Sequence, residues 1–307
     1  MYIADASNIA EDPISSEQVP VEAFCADFSE WSVKDDVASM EFPIFSLSKQ
    51  KDIRIREYTN PTTGKTIRVS PTMDGAATVF DKDLLIFIGS QLIQGRKAGR
   101  PVSQYVEVDV SRFLAATGRR VGGRSFELIV AMLRRLKGTS LETNIVTGGK
   151  EQLRGFGLIE DYEVTRYTSN KKGVAEVQVK ISEWLFNALL EYEVLTLDKK
   201  YFELTQSIDR RLYEIARKHV GAKAFWKCDI DIVREKTGTT QDIRRFRSEI
   251  RDVIRRDPLP EYRIALDKAS ELHRIVFYTR DNKLLSKALI NNDLAGWFEN
   301  LERHQCA

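Results

Sequence analysis

Six arginines crowd residues 240–256, TQDIRRFRSEIRDVIRR, in a chain of 307 residues whose net charge is only +2. A guanidinium is a planar, permanently charged fork of donors that fits a phosphate or the edge of a guanine with two parallel hydrogen bonds. A glutamine amide fits adenine in the same way. Stepping 100° per residue along a helix gathers Ile243, Phe246, Ile250, Val253 and Ile254 on one stripe. Gln241, Arg244, Ser248, Arg251 and Arg255 then fall on the opposite face, with Arg245 at its edge. That pattern predicts a helix seated on a core by one side and offering cations and amide donors to a polyanion on the other.

A solvated surface helix would carry the same charges, so the neighbouring element matters. Residues 230–238, IDIVREKTG, form a short apolar-periodic segment closed by Thr-Gly, and glycine ends helices in a left-handed turn. Helix, glycine turn and basic helix together make a helix-turn-helix, whose second helix enters the DNA major groove.

The same grammar occurs 120 residues earlier. The stretch from Tyr105, YVEVDVSRFLAATGRRVGGRSFELIVAMLRRLKG, lies over the stretch from Phe225 without a gap. Val110 then matches Ile230, Thr117 and Gly118 match Thr237 and Gly238, Phe126 matches Phe246, Val130 matches Ile250, and Leu133 matches Val253. Arg124 falls on Arg244. A helical run precedes each unit, at 81–95 and 204–221, and strands follow each, around Gly148, Gly149 and Lys150 in the first and within YRIALDKASELHRIVFYTR in the second. Helix, strand, helix, helix, strand, wing, strand predicts a winged helix, twice. In the first unit Arg119, Arg120, Arg124 and Arg135, with Lys150 on the wing, are the candidate DNA contacts. In the second they are Gln241, Arg244, Arg245, Ser248, Arg251 and Arg255.

The expected fold class is therefore α+β, with two tandem winged-helix domains. Residues 1–42 hold ten acidic residues and one lysine, a net of −9, which leaves 46 basic and 35 acidic residues, or +11, for residues 43–307. The reading divides the chain into an acidic, largely disordered tail (1–42), domain 1 (43–193), domain 2 (194–281) and a C-terminal helical extension (282–307). Phe24, Phe28 and Trp31 could form a short docking helix in the tail. IRIREY and TIRVS read as a hairpin extending the first sheet, and Trp184, Trp226 and Trp297 read as packing residues.

Enzyme readings find little support. GRRVGGRS, residues 118–125, has P-loop glycine spacing, but arginine stands where the lysine belongs and no buried strand precedes it. TGKT, residues 63–66, lacks the first glycine of that loop. His219, His273 and His304 are isolated, so no metal-dependent nickase site is expected. Three distant cysteines suggest free thiols. No apolar run of about 18 residues is present, and the chain begins without a signal-peptide pattern. The expectation is a cytoplasmic binding protein with no metal and no cofactor.

DKDLLIFIGSQL (81–92), GRRVGGRSFELIVAMLRRLKGTSLET (118–143), LTLDKKYFELTQSIDRRLYEIARKHVG (195–221) and DPLPEY (257–262), in that order, resemble the plasmid replication initiator protein A family, which belongs with the tandem winged-helix Rep initiators of iteron plasmids. The resemblance runs from about Pro43 to Arg280. It implies binding to repeated sites in double-stranded origin DNA, recruitment of the host replication initiator and replicative helicase, repression of its own gene, and a homodimer in equilibrium with a monomer, the first winged helix carrying much of the dimer contact. A winged-helix transcriptional repressor without initiator activity would use the same residues.

Overall fold

The computed structural model describes residues 22–60, 63–120, 122, 124–147, 150–166, 175–267, 274–291 and 301–302. Helices and sheets are mixed throughout.

The acidic N-terminal segment departs from expectation, because residues 22–42 form a strap folded along the body. Strand β1 (Phe24–Cys25) is extended, and β2 (Lys34–Asp36) leads into the short helix α1 (Val37–Glu41), which is capped by the Asp36 carboxylate accepting from Ser39 N at 2.7 Å. Phe24 is buried rather than displayed for docking. The acids of the strap find cations in the body, and pairing is what makes a buried carboxylate tolerable.

Next come β3 (Arg56–Thr59) and β4 (Thr66–Pro71), the expected hairpin, then helix α2 (Lys82–Lys97). Almost every residue of α2 from Lys82 to Ile93 is buried, as an apolar run without a polar face requires. The strap clasps this helix. Gln91 accepts from Phe28 N at 2.8 Å and donates to Phe28 O at 3.0 Å, and the Ser90 hydroxyl accepts from Lys34 N at 2.8 Å.

The first unit continues with β5 (Tyr105–Asp109), α3 (Val110–Ala116), α4 (Ser125–Gly138), β6 (Thr139–Thr147), β7 (Lys150–Gly157), β8 (Ile159–Arg166), β9 (Ala175–Ile181) and α5 (Glu183–Leu190). Its sheet runs β1-β5-β9-β8. The segment read as two strands around Gly148 and Gly149 contains three. β6 and β7 pair from Ser140↔Gly157 to Thr147↔Lys150 and join β3 and β4 in a separate sheet, β3-β4-β6-β7. Lys150 therefore belongs to an inserted hairpin and not to a wing. Residues 167–174, between β8 and β9, lie outside the described residues.

β10 (Val194–Thr196) pairs with β2 of the strap, and a 3-10 turn (Lys199–Glu203) leads to the second unit. That unit comprises α6 (Ser207–His219), β11 (Phe225–Asp229), α7 (Ile230–Thr237), α8 (Ile243–Arg256), β12 (Tyr262–Asp267) and β13 (Arg274–Thr279), with its sheet running β11-β13-β12 and closed by β14 (Leu301–Glu302). Helix α9 (Asn282–Ile290) follows β13, and β14 pairs with β12. Trp297 lies outside the described residues.

With the β6-β7 hairpin of the separate sheet set aside, both units share the order helix, strand, helix, helix, strand, strand, and β5 and β11 begin 120 residues apart. Gly118 and Gly238 both turn left-handed, at φ +68° and +71°. Gly238 meets a second demand, because a Cβ there would stand 2.7 Å from Pro43 at the end of the strap. Two cores result. One collects α4 and the first sheet, and the other collects α8, α6 and the second sheet. Val33 and Met40 of the strap and Ile86 of α2 belong to the second core, so the halves are packed together.

Candidate nucleic-acid interface

Asp242 caps α8, its Oδ1 accepting from Arg245 N at 2.9 Å, a usual role for Asp at this position. Phe246, Ile250, Val253 and Ile254 are buried below. Phe246 is inaccessible, as periodicity predicts. Arg244, Arg245, Ser248, Arg251 and Arg255 are exposed on the opposite face. Arg245 stands 3.6 Å from Asp242, and Arg255 stands 3.0 Å from Asp252. Both pairs are exposed and weak enough to yield to a phosphate. The sixth candidate behaves differently. Gln241 precedes the cap and its side chain turns back to hydrogen-bond Glu249, whose carboxyl burial nevertheless pushes up. It leaves the outward row.

In the first unit Ile129, Met132, Leu133 and Leu136 of α4 are buried, and Arg120 and Arg124 are exposed. Two other candidates need correction. Arg119 donates to Asp83 at 2.8 Å and to Phe80 O at 2.6 Å. Arg135 grips Asp81 with two hydrogen bonds, at 2.8 and 2.7 Å, and that carboxylate raises its pKa. These guanidinium groups are committed to carboxylates on α2 and its cap. Arg134, not among the sequence candidates, is exposed instead. The signal was available: stepping 100° per residue puts Arg134 about 150° from the centre of the buried stripe and Arg135 about 110°. Leu128 is also exposed on this face, at 66%.

The second unit repeats the clamp. Arg256, in the last turn of α8, grips Asp209 in the first turn of α6 at 2.6 and 2.8 Å, and Asp209 raises its pKa. Arg210 and Asp83 pair where α6 meets α2. Beside them Lys82, 1% exposed, lies 2.7 Å from Asp35 of the strap and 3.1 Å from Glu214. Burial alone would push Glu214 up, but Lys82, Arg211 and the Tyr201 hydroxyl hold its carboxyl below the ordinary range. Glu41, at the end of α1, is likewise held well below its usual value. Burial opposes its charge, and His219, Lys218 and Lys236 outweigh that cost.

Among the described residues, no helix is long and apolar enough to cross a membrane. Residues 34–264 match the sequence profile of the family described as replication initiator protein A. A protein of Wigglesworthia glossinidia brevipalpis that carries a provisional replication-protein name is 37% identical over 237 residues, or 76% of this chain and 84% of that one. Among solved structures, domains 2 and 3 of RctB superpose with a TM-score of 0.58 at 12% identity, covering 80% of this chain and 96% of that one. A second structure of the same two domains gives 0.54 at 11% identity, covering 80% and 97%. At such low identity the likeness is one of fold. The profile match across most of the chain, together with the identity to a replication protein, makes this chain a member of the replication initiator protein A family.

Proposed function

We propose that the chain is a sequence-specific double-stranded DNA-binding initiator of plasmid replication. It binds repeated origin sites through two winged-helix units, with α4 and α8 as the groove-facing helices. The observation that carries this reading is the outward row of α8, where Arg244, Arg245, Ser248, Arg251 and Arg255 are exposed opposite buried Phe246, Ile250, Val253 and Ile254. Membership of an initiator family and the like-ordered first unit, with exposed Arg120 and Arg124, support it. The N-terminal residues of α8 meet base edges, and Arg251 and Arg255, further along, hold phosphates. On this reading the protein is a binder and not an enzyme. It recruits the host initiator and replicative helicase, represses its own gene, and exchanges between dimer and monomer.

The test is footprinting of the DNA flanking its gene, joined to a replication assay in which that DNA is the only origin on a selectable circle. Protection of repeated segments together with protein-dependent maintenance of the circle is expected. Affinity no higher than for random duplex would refute the reading. Selective binding without maintenance would make the protein a repressor.

A further inference from the structure

Each unit fastens its basic helix in the same way. The last turn of α4 offers Arg135 to Asp81, and the last turn of α8 offers Arg256 to Asp209, each through two hydrogen bonds. The two acceptors belong to the N-terminal ends of α2 and α6. Those ends are joined by the next residues along: Arg210 follows Asp209, and it pairs with Asp83, two residues beyond Asp81. Asp83 is fully buried and uses its second oxygen to accept from Arg119, in the turn that feeds α4, at 2.8 Å. Arg210 is itself held by the carbonyls of Leu204 at 2.8 Å and Phe202 at 3.3 Å, and lies over the rings of Phe80 and Tyr201. A continuous bracket thus runs from α4 through Arg135, Asp81, Asp83, Arg210, Asp209 and Arg256 to α8.

The chemistry of the joint decides what it does. Apolar side chains would close a seam at least as stably, because desolvating two charges consumes much of their attraction. A buried fork on a carboxylate is intolerant of displacement, since sliding leaves both charges unpaired in a medium that cannot solvate them. The joint is therefore rigid in distance and angle. We propose that Asp83 and Arg210 are positioning residues that fix the separation of α4 and α8, and with it the spacing between the two duplex segments that one molecule holds at once. This rests on the DNA-binding reading above and adds to it a ruler located away from the DNA.

The test begins with full-length protein and a random-sequence duplex pool, from which bound molecules define two contact blocks. Duplexes are then made with 1 or 5 extra base pairs between the blocks, the latter a displacement of about 17 Å and roughly half a helical turn. The wild-type protein should lose at least about tenfold in affinity on the 5-base-pair insertion. Asp83→Asn and Arg210→Lys should bind a single-block duplex like wild type but discriminate between spacings by less than about twofold. A second readout uses spin labels at Arg134→Cys and Ser248→Cys, in a background with Cys25, Cys228 and Cys306 replaced by Ser. Free wild-type protein should give one narrow distance, and each bracket variant a broad distribution. If one variant fails to fold by thermal melting, the other decides. Wild-type spacing preference and a narrow distance retained in a folded variant would overturn the ruler. So would a wild-type protein that binds its blocks equally at every spacing, although DNA recognition would then stand. Failure to select any duplex would instead overturn the DNA-binding reading itself.

Discussion

Replacing Arg244 by Ala isolates the step from charge to sequence. Arg244 lies in the first turn of α8, exposed and opposite the buried stripe, so its loss leaves the core intact. A surface change of this kind shifts stability by about 0.5 kcal/mol or less. If its guanidinium forks onto a guanine, removal costs about 1–3 kcal/mol of discrimination, which is roughly 5- to 150-fold in affinity at 25 °C. Arg255 sits three turns further on, near Asp252, and its loss should cost one phosphate contact. The assay is fluorescence anisotropy against a selected duplex and a scrambled duplex of the same length, from 50 to 200 mM salt. Arg244→Ala should collapse the ratio of the two affinities, whereas Arg255→Ala should lower both alike and flatten the salt slope by about 0.9. Unchanged binding to both duplexes by a folded Arg244→Ala protein would make the arginine row a solvated surface.

Three further outcomes are expected. With Arg120, Arg124, Arg251 and Arg255 as the phosphate-contacting cations, a log–log salt titration should slope at about −3.6, a loss of roughly two decades between 50 and 200 mM; a flat titration would exclude phosphate contacts of this number. Phe246→Ala, at an inaccessible position, should cost about 3–5 kcal/mol in denaturant melts, and Phe126→Ala, at the matching but partly exposed position, should cost clearly less. Glu41→Gln should destabilise by about 3 kcal/mol at pH 7, since it leaves buried cations unpaired. The folded-state pKa of Glu41 is depressed, so its stabilisation is complete above the ordinary glutamate range and fades as pH falls below it. The melting difference between wild type and variant should therefore narrow from pH 7 towards pH 3, and a constant difference would contradict the assignment.

What could be read from the sequence was what neighbours along the chain decide. The buried stripe of α8, the left-handed turns at Gly118 and Gly238, and the offset between β5 and β11 are all local, and periodicity reveals them. The alternation of β6 and β7 is that of a wing, but their partner β4 comes from roughly 70 residues upstream, and pairing across that distance leaves no local mark. Arg119 and Arg135 look no different from Arg124 in composition; the carboxylates that claim them lie on α2 and its cap. Charge counting failed for residues 22–42 for a related reason. Asp35 and Glu41 contribute to a net charge that argues for disorder, yet Lys82, Lys218 and Lys236 neutralise them in the folded chain.

That strap imposes an order on events during translation. Its residues leave the ribosome early, but the groups that hold it come later: Thr196 is 162 residues beyond Lys34, and Lys236 is 195 beyond Glu41. At about 5–20 residues per second, the strap waits roughly 10–40 s for the last of these partners. Lys82, Ser90 and Gln91 of α2 follow their strap partners by only 47, 56 and 63 residues and can engage them early, but through that interval Glu41 lacks Lys218 and Lys236, and the two halves cannot yet be latched. The earliest-made described segment thus completes its contacts among the last, only when synthesis has passed α7.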